Sequence, residues 1–126
     1  MKSNSEITVL IVDDEDDIRE SILIELELEG FNVKSASGGI EAFELVQNNK
    51  IDFVLTDVRM PQGGGQELLS NIKERDINLP VVLLVTGFTE LSKDEAVTMG
   101  AVDLMAKPID IDKVVKIIGQ YRAQYP

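Results

Sequence analysis

The 126-residue chain has no cysteine and no histidine. Without cysteine there are no disulfides and no thiolate chemistry. Without either residue, neither a structural zinc site nor a Ser–His or Cys–His nucleophile pair can be built within this chain. Bases are scarce as well: 12 Lys+Arg face 23 Asp+Glu, for a net charge of −11. Such a chain is a poor direct nucleic-acid binder, because neutralising phosphates drives that binding. Apolar runs stop at five or six residues, far short of the ~20 needed to span a bilayer. The opening MKSNSEITVL carries no long apolar segment and no cleavage-like site of a secretory signal. The expectation is a cytoplasmic protein that touches neither membrane nor nucleic acid directly.

What is present suits one compact domain, residues 1–126 with a core over about 7–122. The length sits at the modal domain size. Apolar residues are 44% and charged residues 28%, enough for a core and no signature of disorder. Acid is concentrated early: residues 1–63 hold 14 acids and 5 bases, residues 64–126 hold 9 and 7. That asymmetry is either a solubility device or, in part, a cation site; the positions of the acids decide.

Periodicity alternates between strand and helix. Strands are predicted at Ile7–Val12, Phe31–Ala36, Asp52–Thr56, Val81–Val85 and Val102–Met105. Helices are predicted at Asp16–Glu29, Gly39–Asn49, Gln66–Arg75, Ser92–Met99 and Asp110–Tyr121. Gly30 and Gly100 stand where helices end, and Ser92 with Glu95 forms a capping box. Ile22 to Glu29, ILIELELE, also alternates with the period of a strand. Leu and Glu are strong helix formers, and Ile18, Ile22 and Leu26 keep four-residue spacing, so helix is the reading. Five alternating βα units predict an α/β fold, a doubly wound parallel sheet. The runs TVLIV, FVL and VVLLV are apolar throughout, as strands covered on both faces should be.

Ligands of such sheets bind beyond the carboxyl ends of the strands. The first strand ends in Asp13-Asp14, the third in Thr56-Asp57, the fourth in Val85-Thr86 and the fifth in Ala106-Lys107-Pro108. A strand order of 2-1-3-4-5 sets the first and third ends side by side. Three carboxylates then share a cleft with a hydroxyl and an ammonium on the flanking strands. Mutual repulsion either raises their pKa values or draws in a cation. All-oxygen ligation points to Mg²⁺, with Mn²⁺ possible. A carboxylate beside such an ion can attack phosphorus and form an aspartyl phosphate, with Thr86 and Lys107 as residue types that hold phosphoryl oxygens. Glu15, Asp16 and Asp17 instead suit a helix N-terminus, where the macrodipole favours acid. Gly63-Gly64-Gly65 reads as a flexible turn; no Gly-Lys-Ser/Thr follows, so a P-loop is not supported.

The segments VLIVDDE at 9–15, TDVRMP at 56–61, VTG at 85–87, GAVD at 100–103 and Lys107-Pro108 resemble, as a set, the receiver domain of bacterial response regulators. The resemblance runs from about Ile7 to Arg122 and implies the flavodoxin-like five-stranded fold in the order 2-1-3-4-5. It implies that Asp57 is the phosphoacceptor for a histidine kinase or phosphotransfer protein. Asp14 would ligate Mg²⁺ directly, Asp13 through water, and the Arg59 backbone carbonyl would be the third protein ligand. Thr86 would be the switch hydroxyl, Lys107 the partner of the phosphoryl group, and Pro108 a cis proline. The family often has Tyr or Phe where Leu104 stands, so the aromatic part of the switch is missing. The stretch from Thr86 to Gly100 also looks slightly short. Output is therefore expected from the loop Gly87 to Leu91, with an exposed Phe88, and from the fourth helix. The partner would be a downstream effector, or a second copy through the fourth and fifth helices.

Only four residues follow Arg122, so the expectation is either a single-domain response regulator or a receiver cut from a longer protein. The resemblance thus describes a two-component signalling switch that catalyses only its own phosphorylation and dephosphorylation. A Mg²⁺-dependent aspartyl-phosphate phosphatase would need a D-x-D that neither Asp13-Asp14-Glu15 nor Asp57-Val58-Arg59 supplies. A phosphorylation-independent pseudo-receiver would typically lack an acid or the lysine, and none is missing.

Overall fold

The computed structural model describes residues 3–61, 63–87 and 91–124. Phe88, with residues 89 and 90, lies outside them. Five strands, β1 (Thr8–Val12), β2 (Asn32–Ala36), β3 (Phe53–Asp57), β4 (Val81–Thr86) and β5 (Asp103–Ala106), form one sheet in the order β2-β1-β3-β4-β5. Every neighbouring pair is parallel. The helices are α1 (Asp16–Leu28), α2 (Gly39–Asn48), α3 (Gly65–Arg75), α4 (Lys93–Thr98) and α5 (Ile111–Gln124). The expected doubly wound, flavodoxin-like fold is therefore present.

Strand alternation divides the core in two. Leu10, Val12, Val54, Val82 and Leu84 face a cluster completed by Ala42 and Val46 of α2, Leu68, Leu69 and Ile72 of α3, and Ala96 of α4. Val9, Ile11, Phe53, Leu55, Leu83 and Val85 face the opposite cluster, closed by Ile22 and Leu26 of α1 and Val114, Ile117 and Ile118 of α5. β3 and β4 are buried along their whole length, which is why their sequences show no polar alternation. β2, an edge strand, alternates. The ambiguous ILIELELE segment is helical: Ile22 and Leu26 turn inward, while Ile24 and Leu28, two residues on, remain exposed.

Helix ends follow local chemistry. Gly30 (φ 96°) and Gly100 (φ 109°) take left-handed conformations just past α1 and α4. The capping box at Ser92 is made, with Glu95 N donating to Ser92 Oγ at 3.1 Å. That backbone and side-chain bonding of Ser92 holds the Glu95 carboxyl below its usual pKa.

The glycine run differs from its reading as a flexible turn. A Cβ on Gly65 would lie 2.2 Å from the backbone oxygen of Asp57, and one on Gly39 would lie 2.7 Å from that of Gly63. These residues are glycine because backbones meet there, so the segment is packed, as Gly65 N→Val58 O (2.9 Å) and Gly39 N→Gly63 O (3.0 Å) attest. The Lys107–Pro108 bond is cis, as expected. Two further features were not expected: a 3-10 turn at Asn4–Glu6 and a second cis bond, Leu79–Pro80, before β4.

Candidate functional site

The polar strand ends converge on one edge of the sheet. Val12 is in register with Thr56, Asp57 with Val85, and Thr86 with Ala106. The ladder continues past the strands through Asp13 N→Ala36 O (3.2 Å), Val58 N→Val85 O (2.9 Å) and Lys107 N→Thr86 O (3.0 Å). Asp13 and Lys107 are thus held by backbone bonds to the neighbouring strands, and Asp57 by its register with Val85 and the bond of the next residue, Val58, which fixes where their side chains begin.

One oxygen each of Asp13, Asp14 and Asp57 lies within 4.8 Å of the others. Asp13 and Asp57 are only 3% and 8% exposed, so water screens them poorly; Asp14 is exposed. At this spacing the buried Asp13–Asp57 pair repels by about 3 kcal/mol at an effective dielectric near 20; water screens the exposed Asp14, so its pairs add much less. The cluster persists because it has cationic and N–H partners. Lys107 Nζ donates to Asp57 Oδ2 at 2.9 Å and reaches Asp13 Oδ2 at 3.3 Å and Glu15 Oε1 at 3.8 Å. Asp13 Oδ1 accepts from the Glu15 backbone N–H at 2.8 Å. Burial pulls the Lys107 ammonium pKa down, but the hydrogen bond and charge of Asp57, then those of Asp13, outweigh it and hold it above the usual lysine value.

One ammonium cannot neutralise three carboxylates. The remaining charge, the all-oxygen donor set and the exposed third ligand suit a hard divalent cation that keeps several waters. The residues present therefore fit Mg²⁺.

The remaining sequence candidates fall around this centre. Thr86 is buried at the end of β4, one residue beyond Val85, the register partner of Asp57. Arg59 is exposed in the β3–α3 loop, beside an open depression shared with Val58, Met60, Pro61 and Gly64. Leu104 is half-buried, pairs with Leu84 and packs against the core on the α2–α3–α4 face. It lies off the carboxylate cluster, two residues before the end of β5.

Two participants were not foreseen. Glu15 was read as a helix-end acid; it is the N-cap residue of α1 but makes no side-chain cap bond, and its carboxylate faces Lys107 instead. Arg19 ties the first loop to α1, donating to the Asp13 carbonyl at 2.8 Å and to Asp16 Oδ1 at 2.7 Å. The four-residue spacing of Glu15 and Arg19 was visible; the direction of their side chains was not.

Comparison with known proteins agrees with this geometry. The family model for the response regulator receiver domain matches residues 9–119. "Regulatory protein AtoC" of Escherichia coli K12 is 35% identical over 111 residues, 87% of this chain and 24% of that protein. The chain thus spans about a quarter of that relative's length. Among solved structures, the receiver domain of the Francisella response regulator 1452 superposes with a TM-score of 0.87 at 26% identity, covering 95% of this chain and 99% of that one. A chain of the CheX–CheY–BeF3–Mg²⁺ complex of Borrelia burgdorferi gives 0.83 at 32% identity, covering 91% and 88%. With a family match over most of its length and a carboxylate cluster at the carboxyl edge of a 2-1-3-4-5 sheet, the chain belongs to the receiver domains of two-component response regulators.

Proposed function

We propose that this domain, residues 1–126 with its core over about 7–122, is a phosphorylation-driven switch in which Asp57 accepts a phosphoryl group from a histidine kinase or phosphotransfer protein. The observation that carries the reading is the ion pair of Lys107 Nζ with Asp57 Oδ2 (2.9 Å) inside a three-carboxylate cluster. A buried carboxylate on the last residue of β3 is a nucleophile fixed in place, with little orientational entropy left to lose. One of its oxygens forms the new P–O bond as the P–N bond to the donor imidazole breaks, and the imidazole takes up a proton. Lys107, already at the acceptor, moves its ammonium from the carboxylate to the incoming phosphoryl oxygens. Asp13, Asp14, Asp57 and the Arg59 carbonyl would hold Mg²⁺, which when bound supplies neutralisation of the charge on the transferring group.

The modification places about two negative charges where a carboxylate stood. The Thr86 hydroxyl turns toward the new acceptor oxygens. Leu104 has no ring and no hydroxyl to follow it, so the response is carried by residues 87–91 and α4. Its reader is a downstream effector protein or a second copy, on the face made by α4 and α5. The domain works in the cytoplasm, without direct contact with nucleic acid or membrane, and catalyses only its own phosphorylation and dephosphorylation.

The test is acetyl phosphate with Mg²⁺, followed by intact mass. One hydroxylamine-labile phosphoryl group is expected on the protein and none on Asp57→Asn. Lys107→Ala should keep Asp57 available but weaken the switch response. A phosphoryl group that survives Asp57→Asn, or that resists hydroxylamine, contradicts the proposal.

A further inference from the structure

Helices α2 and α3 lie side by side on one face of the sheet, and a groove of about 180 Å³ opens between them. Ile40, Phe43 and Leu68 give it an apolar floor, and Glu44, Glu67 and Asn71 stand along its sides. Ile40 is 67% exposed; Leu28 (83%) and Ile77 (78%) are more so, but only Ile40 of these lines a groove with a second apolar side chain, Phe43, beside it. The rim is of one sign. Among the described residues no basic one lines the groove, α2 contains none, and those of α3, Lys73 and Arg75, are confined to its last turn. Lys73 is turned away from the groove, donating to the Pro80 carbonyl at 3.0 Å.

We infer that this groove is a docking site for a basic protein segment that inserts one large apolar side chain between flanking Lys or Arg residues. The volume matches a single Phe- or Leu-sized group. The glutamates answer the flanking cations, and burying Ile40 and Phe43 supplies the apolar gain. A nucleic acid or an anionic membrane would meet the same glutamates as repulsion. The groove also has a physical link to the phosphosite. Gly63 and Gly64 form part of its wall, and Gly65, the next residue, is bonded to Val58 O and packs on the backbone of Asp57. A change at Asp57 that moves this loop changes the groove. That coupling rests on the phosphoacceptor reading; binding to the unmodified protein does not.

The probe is a fluorescent peptide, SKRFKRS, titrated into the full chain and followed by anisotropy and by amide NMR shifts. Binding is expected to shift residues 39–44 and 63–71 and to weaken with salt. It should fall about tenfold for Glu44→Lys combined with Glu67→Lys, both exposed positions. Glu27→Lys, on α1 across the sheet, should leave it unchanged. Beryllofluoride activation should alter the affinity at least about twofold; no change removes the coupling alone. The docking site itself is overturned if SEEFEES or SKRSKRS binds as well as SKRFKRS. It is also overturned if Glu27→Lys weakens binding as much as the groove pair, or if the shifts map elsewhere. Concentration-dependent shifts of the same residues without peptide would assign the groove to self-association instead, and shifts of residues 39–44 and 63–71 on adding anionic vesicles to the chain without peptide would assign it to membrane.

Discussion

The two edges of the sheet use polar residues in opposite ways. At the carboxyl edge, three carboxylates crowd together with one lysine, and the arrangement leaves charge uncompensated. At the amino edge, polar groups close the fold. Asn4 donates to the Glu29 carbonyl at 2.6 Å and accepts from Arg122 of α5. Thr8 N–H donates to Asp52 Oδ2 at 2.9 Å. Lys73 caps the Pro80 carbonyl (3.0 Å), and its stem covers Gly100. One edge gathers like charge and carries repulsion; the other closes the fold with hydrogen bonds. Substitutions should therefore separate by edge: carboxyl-edge changes move chemistry more than stability, amino-edge changes the reverse.

Gly65→Ala should break that separation, and it carries the largest expected effect. Its Cβ would meet the Asp57 backbone oxygen at 2.2 Å, and neither backbone can yield cheaply. The expected loss is about 2–3 kcal/mol of stability, together with reduced phosphoryl uptake per folded molecule. Urea unfolding combined with an uptake assay checks both. A loss of stability alone would show that the α3 junction does not position Asp57.

Asn4→Ala sharpens the comparison from the other edge. It removes two hydrogen bonds that tie the N-terminal turn to the end of α1 and to α5, and should cost about 1 kcal/mol. Uptake by the folded fraction should not change. An altered uptake rate at full folding would mean that the edges are coupled.

Two lysines give the smallest and most graded contrast. Lys73 lies at the amino edge, where burial lowers its pKa and the nearby Asp76 only partly offsets this. Lys107 lies at the carboxyl edge with its pKa raised. An unfolded lysine titrates near 10.4. Lys107 contributes stability that is fully present below that value and is lost as pH rises through its folded pKa. Lys73 does the reverse: the folded state sheds its proton first, so stability rises with pH between its folded pKa and about 10.4. Unfolding measured in chelator from about pH 9 to 11.5 should lose its rising component in Lys73→Met and its falling component in Lys107→Met. Identical slopes in both variants would contradict the assignment.

The carboxyl edge was largely legible in the sequence, because each site residue is the last residue of a short apolar run or lies just past it. Once Asp13, Asp57, Thr86 and Lys107 are strand ends, parallel order brings them together. The helix at ILIELELE was legible through four-residue spacing despite its alternation. The amino edge was not. Asn4 and Arg122 are 118 residues apart, and no local pattern relates an exposed-looking Asn to a helix end so distant. Gly63 to Gly65 misled for a related reason: glycine in a sequence signals freedom, and only the backbone of β3 reveals that it marks close contact. Glu15 fits an N-terminal acid equally well whether it caps the helix or faces Lys107.

Asp14 tests the contrast between the edges most directly, since it is exposed and belongs to the cluster without being part of the core. The measurement is urea unfolding of the unmodified chain and of Asp14→Asn, each in chelator and in Mg²⁺. In chelator the variant should be more stable, by about 0.5–1 kcal/mol, because one repelling carboxylate is gone. Mg²⁺ should stabilise the unmodified chain by binding its folded state and leave the variant unmoved. A variant less stable in chelator, or equal stabilisation of both proteins by Mg²⁺, would contradict a ligand site maintained against its own charge.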